Sequence, residues 1–153
     1  MAKGRYLARI AAGADDLLAA QRLRHLAFHG SVKAGLDVDD FDAVCSHTLI
    51  EDRVSGTLVC CYRLLPLRHG GDIDQCYSAQ YYELSALKAF DGRMVEIGRF
   101  CVHPEWPDPD ILRIAWGAMT AYVDENNVEM LFGCTSFAGV DETRYLDAFA
   151  MLK

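Results

Sequence analysis

One predicted strand, residues 94–103, constrains the fold of this chain more than any other segment. The strand is apolar overall, yet it holds Glu96, Gly98 and Arg99 within four positions. Because side chains alternate along a strand, regular pairing would place Glu96 and Arg99 on opposite faces. A β-bulge at Gly98 would turn both to one face and free a backbone N–H group that can bind an oxyanion, as acyl transfer from a thioester requires. The alternative is a buried structural salt bridge at a strand kink.

The rest of the chain alternates between strand and helix patterns, which is typical of an α/β or α+β domain. We predict further strands over residues 6–11, 47–51, 57–65 and 128–137. We predict helices over residues 15–30 with Asp15 as N-cap, about 79–86, 109–126 with Asp108 as N-cap, and 139–153. The acidic residues 37–42 form a loop or short turn, and Ser55-Gly56 forms a hairpin turn.

Length and composition favour one globular domain over residues 1–153. The sequence has no apolar run long enough to cross a membrane and no signal-peptide pattern at its start, so we expect a cytoplasmic protein. Its six cysteines lack zinc-site spacing, and we expect them to be reduced and structural. The last predicted helix has no C-cap signal, so we expect the chain to continue in the full protein.

The net charge of −7 argues against nucleic acid as the main partner, but the charge is uneven. Residues 1–36 carry six basic and two acidic side chains, a net charge of +4, and the remainder carries −11. An acidic partner would therefore favour the N-terminal segment. The alternative is an ordinary solvated helix face.

Arginines stand inside two predicted apolar segments. Arg24 shares a helix face with Phe28, and Arg63 lies near the end of the strand over residues 57–65. Unpaired buried charge is very costly, so these arginines need partners, which Asp40 and Asp42 could supply. Together with Glu96, these groups could bind the ammonium and carboxylate of an amino acid; a surface ion network is the alternative.

Several motifs, in this order and spacing, resemble the bacterial ornithine-lipid N-acyltransferases, a branch of the GCN5-related N-acyltransferase (GNAT) fold. They cover nearly the whole chain: RLRHLAF at 22–28, DFD at 40–42, YRLL at 62–65, YSAQYY at 77–82, EIGR at 96–99, CVHP at 101–104 and LFGC at 131–134. The resemblance implies a GNAT-like mixed central sheet flanked by helices. It also implies transfer of a 3-hydroxyacyl group from acyl carrier protein to the α-amine of ornithine, giving lyso-ornithine lipid.

The implied donor is the acyl-phosphopantetheine of the carrier protein, with no bound cofactor, and ornithine or another small amino acid is the acceptor. The amphiphilic product would allow peripheral contact with the inner membrane. Acyl-homoserine-lactone synthases are the nearest enzymatic alternative, because they are similar in the series Arg24, Phe28, Asp40, Asp42, Arg63, Glu96 and Arg99. They rank second because the segment after Phe28 lacks the expected Trp. A non-catalytic module that binds acyl carrier protein or lipid is the alternative from another class.

One departure from coenzyme A-dependent relatives lies in the loop over residues 103–110. Those relatives bind pyrophosphate with a glycine-rich loop that leads into a helix. Here the loop has no glycine, three prolines and three carboxylates, so it lacks N–H donors and would repel an anion. We therefore expect poor use of free acyl-coenzyme A.

The expected mechanism is direct attack by the amine, with Glu96 accepting its proton through a water molecule. An N–H group near Gly98, Arg99 or Phe100 would polarise the thioester carbonyl. The resemblance to this fold suggests Tyr145 as the general acid for the leaving thiolate, the alternative being an ordinary amphipathic-helix residue. A covalent route through Cys101 or Cys134 ranks below direct attack, and His103 has no partners at metal-ligand spacing.

Overall fold

The computed structural model describes residues 1–30, 35–137 and 139–151, which form one six-stranded sheet with helices on both faces. The strands are β1 Ala2–Lys3, β2 Tyr6–Ile10, β3 Ser46–Asp52, β4 Leu58–Leu67, β5 Met94–Val102 and β6 Met130–Gly133. The helices are α1 Ala14–His29, α2 Pro109–Asn126 and α3 Leu146–Met151. This architecture confirms the predicted α/β (α+β) class with a mixed sheet. No helix in these ranges has the length and apolar character needed to cross a bilayer.

Strand order in the sheet follows chain order, and β1 to β5 pair antiparallel with their neighbours. The last strand, β6, pairs parallel with β5, because α2 carries the chain back across one face before β6 begins. The pairing of β5 with β6 runs from Met94–Met130 to Ile97–Gly133 and ends there. The two strands therefore part at the middle of β5.

The central strand β4 is buried on both faces, which explains its continuous apolar sequence. Cys60 packs with Ile114 and Met119 of α2, whereas its neighbour Cys61 packs with Leu23 of α1 on the opposite face. All six cysteines are free thiols, as predicted. Cys134 departs from the expectation that all six are structural, because it is exposed and belongs to none of the hydrophobic clusters of the described residues.

The start of α1 differs from the prediction. The helix begins at Ala14, and its N-cap is Gly13, which has no side chain to cap with. Asp15 lies in the first turn and is not the cap. Asp16 anchors this end, because its carboxylate accepts a hydrogen bond from the backbone N–H of Ala12 and pairs with Arg9 of β2.

The short helix predicted around residues 79–86 is absent from this part of the chain. Two 3-10 turns, Ser78–Gln80 and Ser85–Leu87, occupy the segment. Carboxylates compete for its backbone donors: Glu96 binds the N–H of Ser78, and Glu83 binds the N–H of Ser85. These local and long-range bonds replace an α-helical ladder.

The strand and the helix predicted at the C-terminal end are longer than the elements observed there. Of residues 128–137, only Met130–Gly133 pair as strand, because β5 leaves its neighbour after Ile97. The helix predicted over residues 139–153 is a 3-10 turn, Glu142–Tyr145, followed by α3, and its last two residues lie outside the described ranges. In contrast, Asp108 caps α2 as predicted, and α2 ends at Asn126.

Two glycine substitutions test the point where β5 and β6 part. A methyl group on Gly133 would lie 2.4 Å from the carbonyl oxygen of Ile97, so Gly133→Ala should lower the free energy of unfolding by about 1–3 kcal/mol. Gly117→Ala, inside α2, meets only the flexible Met1 side chain at 3.4 Å and should raise stability by up to about 1 kcal/mol. Urea unfolding measures both; effects of the same sign would contradict this packing.

Candidate active site

A cavity of about 630 Å³ lies where β5 and β6 part. Its aromatic wall consists of Phe28, Tyr77, Tyr81, Tyr82, Phe100 and Trp116. Its polar lining consists of Arg63, Arg99, Cys134, Thr135 and Ser136, and the remaining lining residues are Ile97 and Gly98. An apolar wall with a few convergent polar groups is typical of a site for a small ligand.

A β-bulge shapes the cavity side of β5. Arg63 pairs with Gly98 and Cys61 with Cys101, so Tyr62 of β4 faces both Arg99 and Phe100. The bulge therefore lies at Arg99 and Phe100, directly after the predicted position Gly98, and Arg99 adopts a left-handed conformation with φ 52°. A Cβ on residue 98 would lie 3.4 Å from Nε of Arg63, so the glycine gives room to that side chain. The bulge turns the Arg99 side chain to the side of the sheet that Glu96 faces, as expected from the sequence. Both residues contact Tyr77 on that side.

The carboxylate of Glu96 is buried and accepts hydrogen bonds from Tyr77 and Ser78, at the start of the 3-10 turn Ser78–Gln80. Its Oε1 accepts hydrogen bonds from the backbone N–H of Ser78 at 2.7 Å and from the Ser78 hydroxyl at 2.5 Å. Its Oε2 accepts the backbone N–H of Tyr77 at 2.8 Å. Arg99 pairs with Asp37 and Asp39 instead, so the buried Glu96–Arg99 salt bridge considered from the sequence does not form.

Three arginines and three aspartates form an ion network on the α1 face of the sheet. Its members are Arg24, Arg63, Arg99, Asp37, Asp39 and Asp42. The opposite charges are equal in number, so the buried cations are neutralised. The network joins α1, the acidic loop, β4 and β5.

Arg24 and Asp42 form the innermost pair of this network. Both oxygens of Asp42 accept hydrogen bonds from Arg24, at 2.7 and 2.8 Å, and Gln21 donates a third at 2.9 Å. Burial alone would raise the pKa of the Asp42 carboxyl, but the bonds from Arg24 and Gln21 outweigh it and lower the pKa to about 2. The Nε of Arg24 lies 3.0 Å from the Asp37 carboxylate, but the alignment does not make a hydrogen bond.

The outer ion pairs of the network hold the bulge of β5 in place. Asp39 binds Arg63 through both oxygens, at 2.5 and 2.8 Å. Arg99 donates from Nε to Asp37 and from a terminal nitrogen to Asp39, each at 3.1 Å. A left-handed conformation costs a non-glycine residue roughly 1–2 kcal/mol, which these ion pairs offset.

The structure separates the residues predicted to bind substrate. Phe28 and Arg63 line the cavity, whereas Arg24 and Asp42 lie behind it in the network. Asp40, predicted as a partner for the buried arginines, is exposed, and Asp37 and Asp39 take that role. The substrate contacts of all five residues stay predictions.

The predicted catalytic residues of β5 also separate into residues that line the cavity and one that lies behind it. Gly98, Arg99 and Phe100 line the cavity, and Glu96 lies behind Ser78. Tyr145 packs against the rings of Phe137 and Phe149 and is not among the described cavity residues, so its role as acid stays a prediction.

Sequence reasoning missed Ser78 and gave Cys134 only a minor part, although the two side chains lie 3.0 Å apart at the cavity. The signal for Ser78 was its place in the motif at residues 77–82, but its partner is 18 residues away. Within the described ranges, no three His, Cys, Asp or Glu side chains converge as a metal site requires.

Three of the six basic residues over positions 1–36 pair with carboxylates. Arg5 pairs with Asp52, Arg9 pairs with Asp16 and Glu51, and Arg24 belongs to the ion network. Lys33 lies outside the described residues. These arginines therefore join elements of the fold and are not a free basic surface, so the charge of +4 overstates what an acidic partner meets.

The ion network yields a test with a matched control. Asp42→Asn should lower the free energy of unfolding at pH 7 by about 3 kcal/mol or more, because it leaves buried Arg24 without its main counter-charge. Asp40→Asn, two positions away and exposed, should change it by less than about 0.5 kcal/mol. Urea unfolding of both variants makes the comparison, and equal effects would contradict the assignment.

The same pair predicts a pH dependence. Because the pKa of Asp42 is lowered in the folded chain, its contribution to stability is complete above about pH 4 and is lost as pH falls through about 2. Unfolding measured across this window should show a smaller acid loss in Asp42→Asn than in wild type. Identical pH profiles would show that Asp42 does not contribute.

Comparison with known proteins places this geometry in a family. Residues 23–117 match the family model of the acetyltransferase (GNAT) domain. The chain is 31% identical to the L-ornithine N(alpha)-acyltransferase of Rhodobacter capsulatus, covering 89% of this chain and 58% of that protein. The L-ornithine N(alpha)-acyltransferase of Agrobacterium fabrum is 30% identical, and the match covers 94% of this chain and 55% of that protein.

Among solved structures, the AHL synthase LasI superposes with a TM-score of 0.62 at 19% sequence identity, covering 96% of this chain and 76% of that one. At this identity the similarity shows the fold alone. The chain spans a little more than half the length of the curated relatives it matches. Since the family model covers more than half of the chain and the sheet has the fold of these neighbours, the chain belongs to the acetyltransferase (GNAT) domain family.

Proposed function

We propose that the chain is the core of an N-acyltransferase that moves a 3-hydroxyacyl group from acyl carrier protein to the α-amine of ornithine, forming lyso-ornithine lipid. The observation that carries the proposal is the cavity between the parted strands, with an apolar wall for an acyl chain and the bulge at its polar end. Ornithine is proposed as the acceptor because the curated relatives are named L-ornithine N(alpha)-acyltransferases. The enzyme works in the cytoplasm, and its amphiphilic product draws it to the inner membrane.

The loop before α2 supports a carrier protein over free coenzyme A as the donor. Asp108 already binds the N–H of Asp110 at 2.9 Å and the hydroxyl of Tyr6 at 2.6 Å. The helix N-terminus is thus occupied by its own carboxylate, which would repel the pyrophosphate of coenzyme A. Phosphopantetheine on a carrier protein presents a single phosphate diester.

The bulge supports the chemical step. Arg99 and Phe100 lie outside the regular ladder with β4 and line the cavity, so their N–H groups can polarise a thioester carbonyl there. The ring of Phe100 is held between Tyr62, at 5.6 Å, and Trp116, at 6.3 Å, which fixes the backbone at this point. Glu96 takes a proton from the ammonium group, the amine attacks the carbonyl, and the thiolate leaves and takes the proton that the nitrogen then loses.

The lactone synthase is the second candidate, because its fold matches over nearly the whole chain. It would use the same cavity and donor with S-adenosylmethionine as the acceptor. The two enzymes share the donor and differ in the acceptor, and the lactone synthase must also close the lactone ring, so an assay with each acceptor separates them.

The test is release of free thiol from 3-hydroxyacyl carrier protein by this chain, with ornithine, S-adenosylmethionine or no acceptor. The full-length Rhodobacter capsulatus relative serves as the positive control. We expect ornithine-dependent release and little reaction with 3-hydroxyacyl-coenzyme A. Release with S-adenosylmethionine alone would assign the lactone synthase, and carrier binding without release would assign a binding module.

Substitution of the base gives a second prediction. Glu96→Gln should lower turnover by roughly a hundredfold or more, because an ammonium group must lose a proton before it attacks. Glu125→Gln, exposed on α2, is the matched control and should leave turnover unchanged. Thermal melting and carrier binding check that Glu96→Gln still folds; normal turnover in that variant would remove Glu96 from the mechanism.

A further inference from the structure

The proposed base does not reach the cavity. Glu96 is 4% exposed and is not among the described residues that line the cavity. Its carboxylate is enclosed by the backbone N–H groups of Tyr77 and Ser78 and by the Ser78 hydroxyl. An amine in the cavity therefore needs an intermediate group to deliver its proton to Glu96.

Two side chains connect Glu96 to the cavity. The Ser78 hydroxyl lies 2.5 Å from Oε1 of Glu96 on one side and 3.0 Å from Sγ of Cys134 on the other. Ser78 is buried, whereas Cys134 is exposed and lines the cavity. The three groups form a continuous path from the cavity to the carboxylate.

The directions of the two hydrogen bonds of the Ser78 hydroxyl follow from the number of hydrogens that each group can donate. A hydroxyl has one hydrogen, and a carboxylate only accepts, so the Ser78 hydrogen points to Glu96. The Ser78 oxygen then accepts the thiol hydrogen of Cys134. The sulfur lone pairs are left to accept a hydrogen bond from a donor in the cavity.

The fold holds this path in place. The N–H groups of Tyr77 and Ser78 bind both oxygens of Glu96, which fixes the turn against β5. Cys134 directly follows Gly133, the last paired residue of β6, so the parting of the strands brings its thiol to the cavity.

We propose that Cys134 and Ser78 relay the proton of the acceptor amine to Glu96. The ammonium gives a proton to Sγ, the thiol proton passes to the Ser78 oxygen, and the hydroxyl proton passes to Oε1. Cys134 and Ser78 end with the hydrogens they began with, the amine becomes nucleophilic, and Glu96 becomes protonated. The relay rests on the proposed acyl transfer and replaces the water expected from the sequence.

Three variants test the relay in the thiol-release assay. Cys134→Ala and Ser78→Ala should each lower kcat about tenfold or more and leave the KM for the acyl carrier protein within about threefold. Cys134→Ser keeps a group that can donate and accept, so it should recover kcat to within about threefold of wild type. Ser85→Ala is the matched control, because Ser85 also binds a carboxylate, that of exposed Glu83, away from the cavity.

A second measurement does not need turnover. Among the cysteines that the structure describes, Cys134 is the exposed one. Its alkylation by iodoacetamide can therefore be followed by mass spectrometry of the peptide that contains it. The rate of this alkylation at a fixed pH should rise in Ser78→Ala, which removes the acceptor of the thiol hydrogen, and stay unchanged in Ser85→Ala. This result holds even if the wild type proves inactive with ornithine, which separates the relay from the proposed function.

Three outcomes would overturn the relay. Wild-type kcat in Cys134→Ala would show that the proton takes another route. An acyl group found on Cys134, with Cys134→Ser as inactive as Cys134→Ala, would make the thiol a nucleophile. An unchanged alkylation rate in Ser78→Ala would show that the two side chains are not coupled.

Discussion

The buried pair of Arg24 and Asp42 is the interaction on which the rest of the site depends. A guanidinium that is 1% exposed needs full neutralisation, and Asp42 supplies it through both carboxylate oxygens. This pair ties α1 to the acidic loop. The loop then presents Asp37 and Asp39 to Arg99, so the helix, the loop and the bulge of β5 form one charged unit.

The bulge and the parting of the strands produce the cavity together. Arg99 in a left-handed conformation turns β5 away from regular pairing, and the contact of Gly133 with Ile97 marks the last pair with β6. The gap is lined by Arg99 and Phe100 of the bulge and by Cys134, which directly follows β6. In the proposed mechanism, an acyl thioester bound between them would meet both the polarising N–H group and the proton relay.

The sequence predicts best the elements whose signal lies within their own residues. The apolar run of β4 and the Asp108 cap of α2 are of this kind, and both were correct. The left-handed residue was not predictable, because Gly98 is the better candidate by residue type. Arg99 adopts that conformation through ion pairs with Asp37 and Asp39, 62 and 60 residues away. The contact between Ser78 and Cys134 was not predictable for the same reason, since the two residues lie 56 positions apart.

A crystal structure with a hydrolysis-resistant 3-hydroxyacyl-phosphopantetheine, with an amide in place of the thioester, tests the account most directly. We predict that its carbonyl oxygen accepts a hydrogen bond from the N–H of Arg99 or Phe100, with the acyl chain along the aromatic wall. An analogue bound instead in the groove between α2 and β6, beside Met119 and Val123, would contradict the assignment of the cavity as the active site.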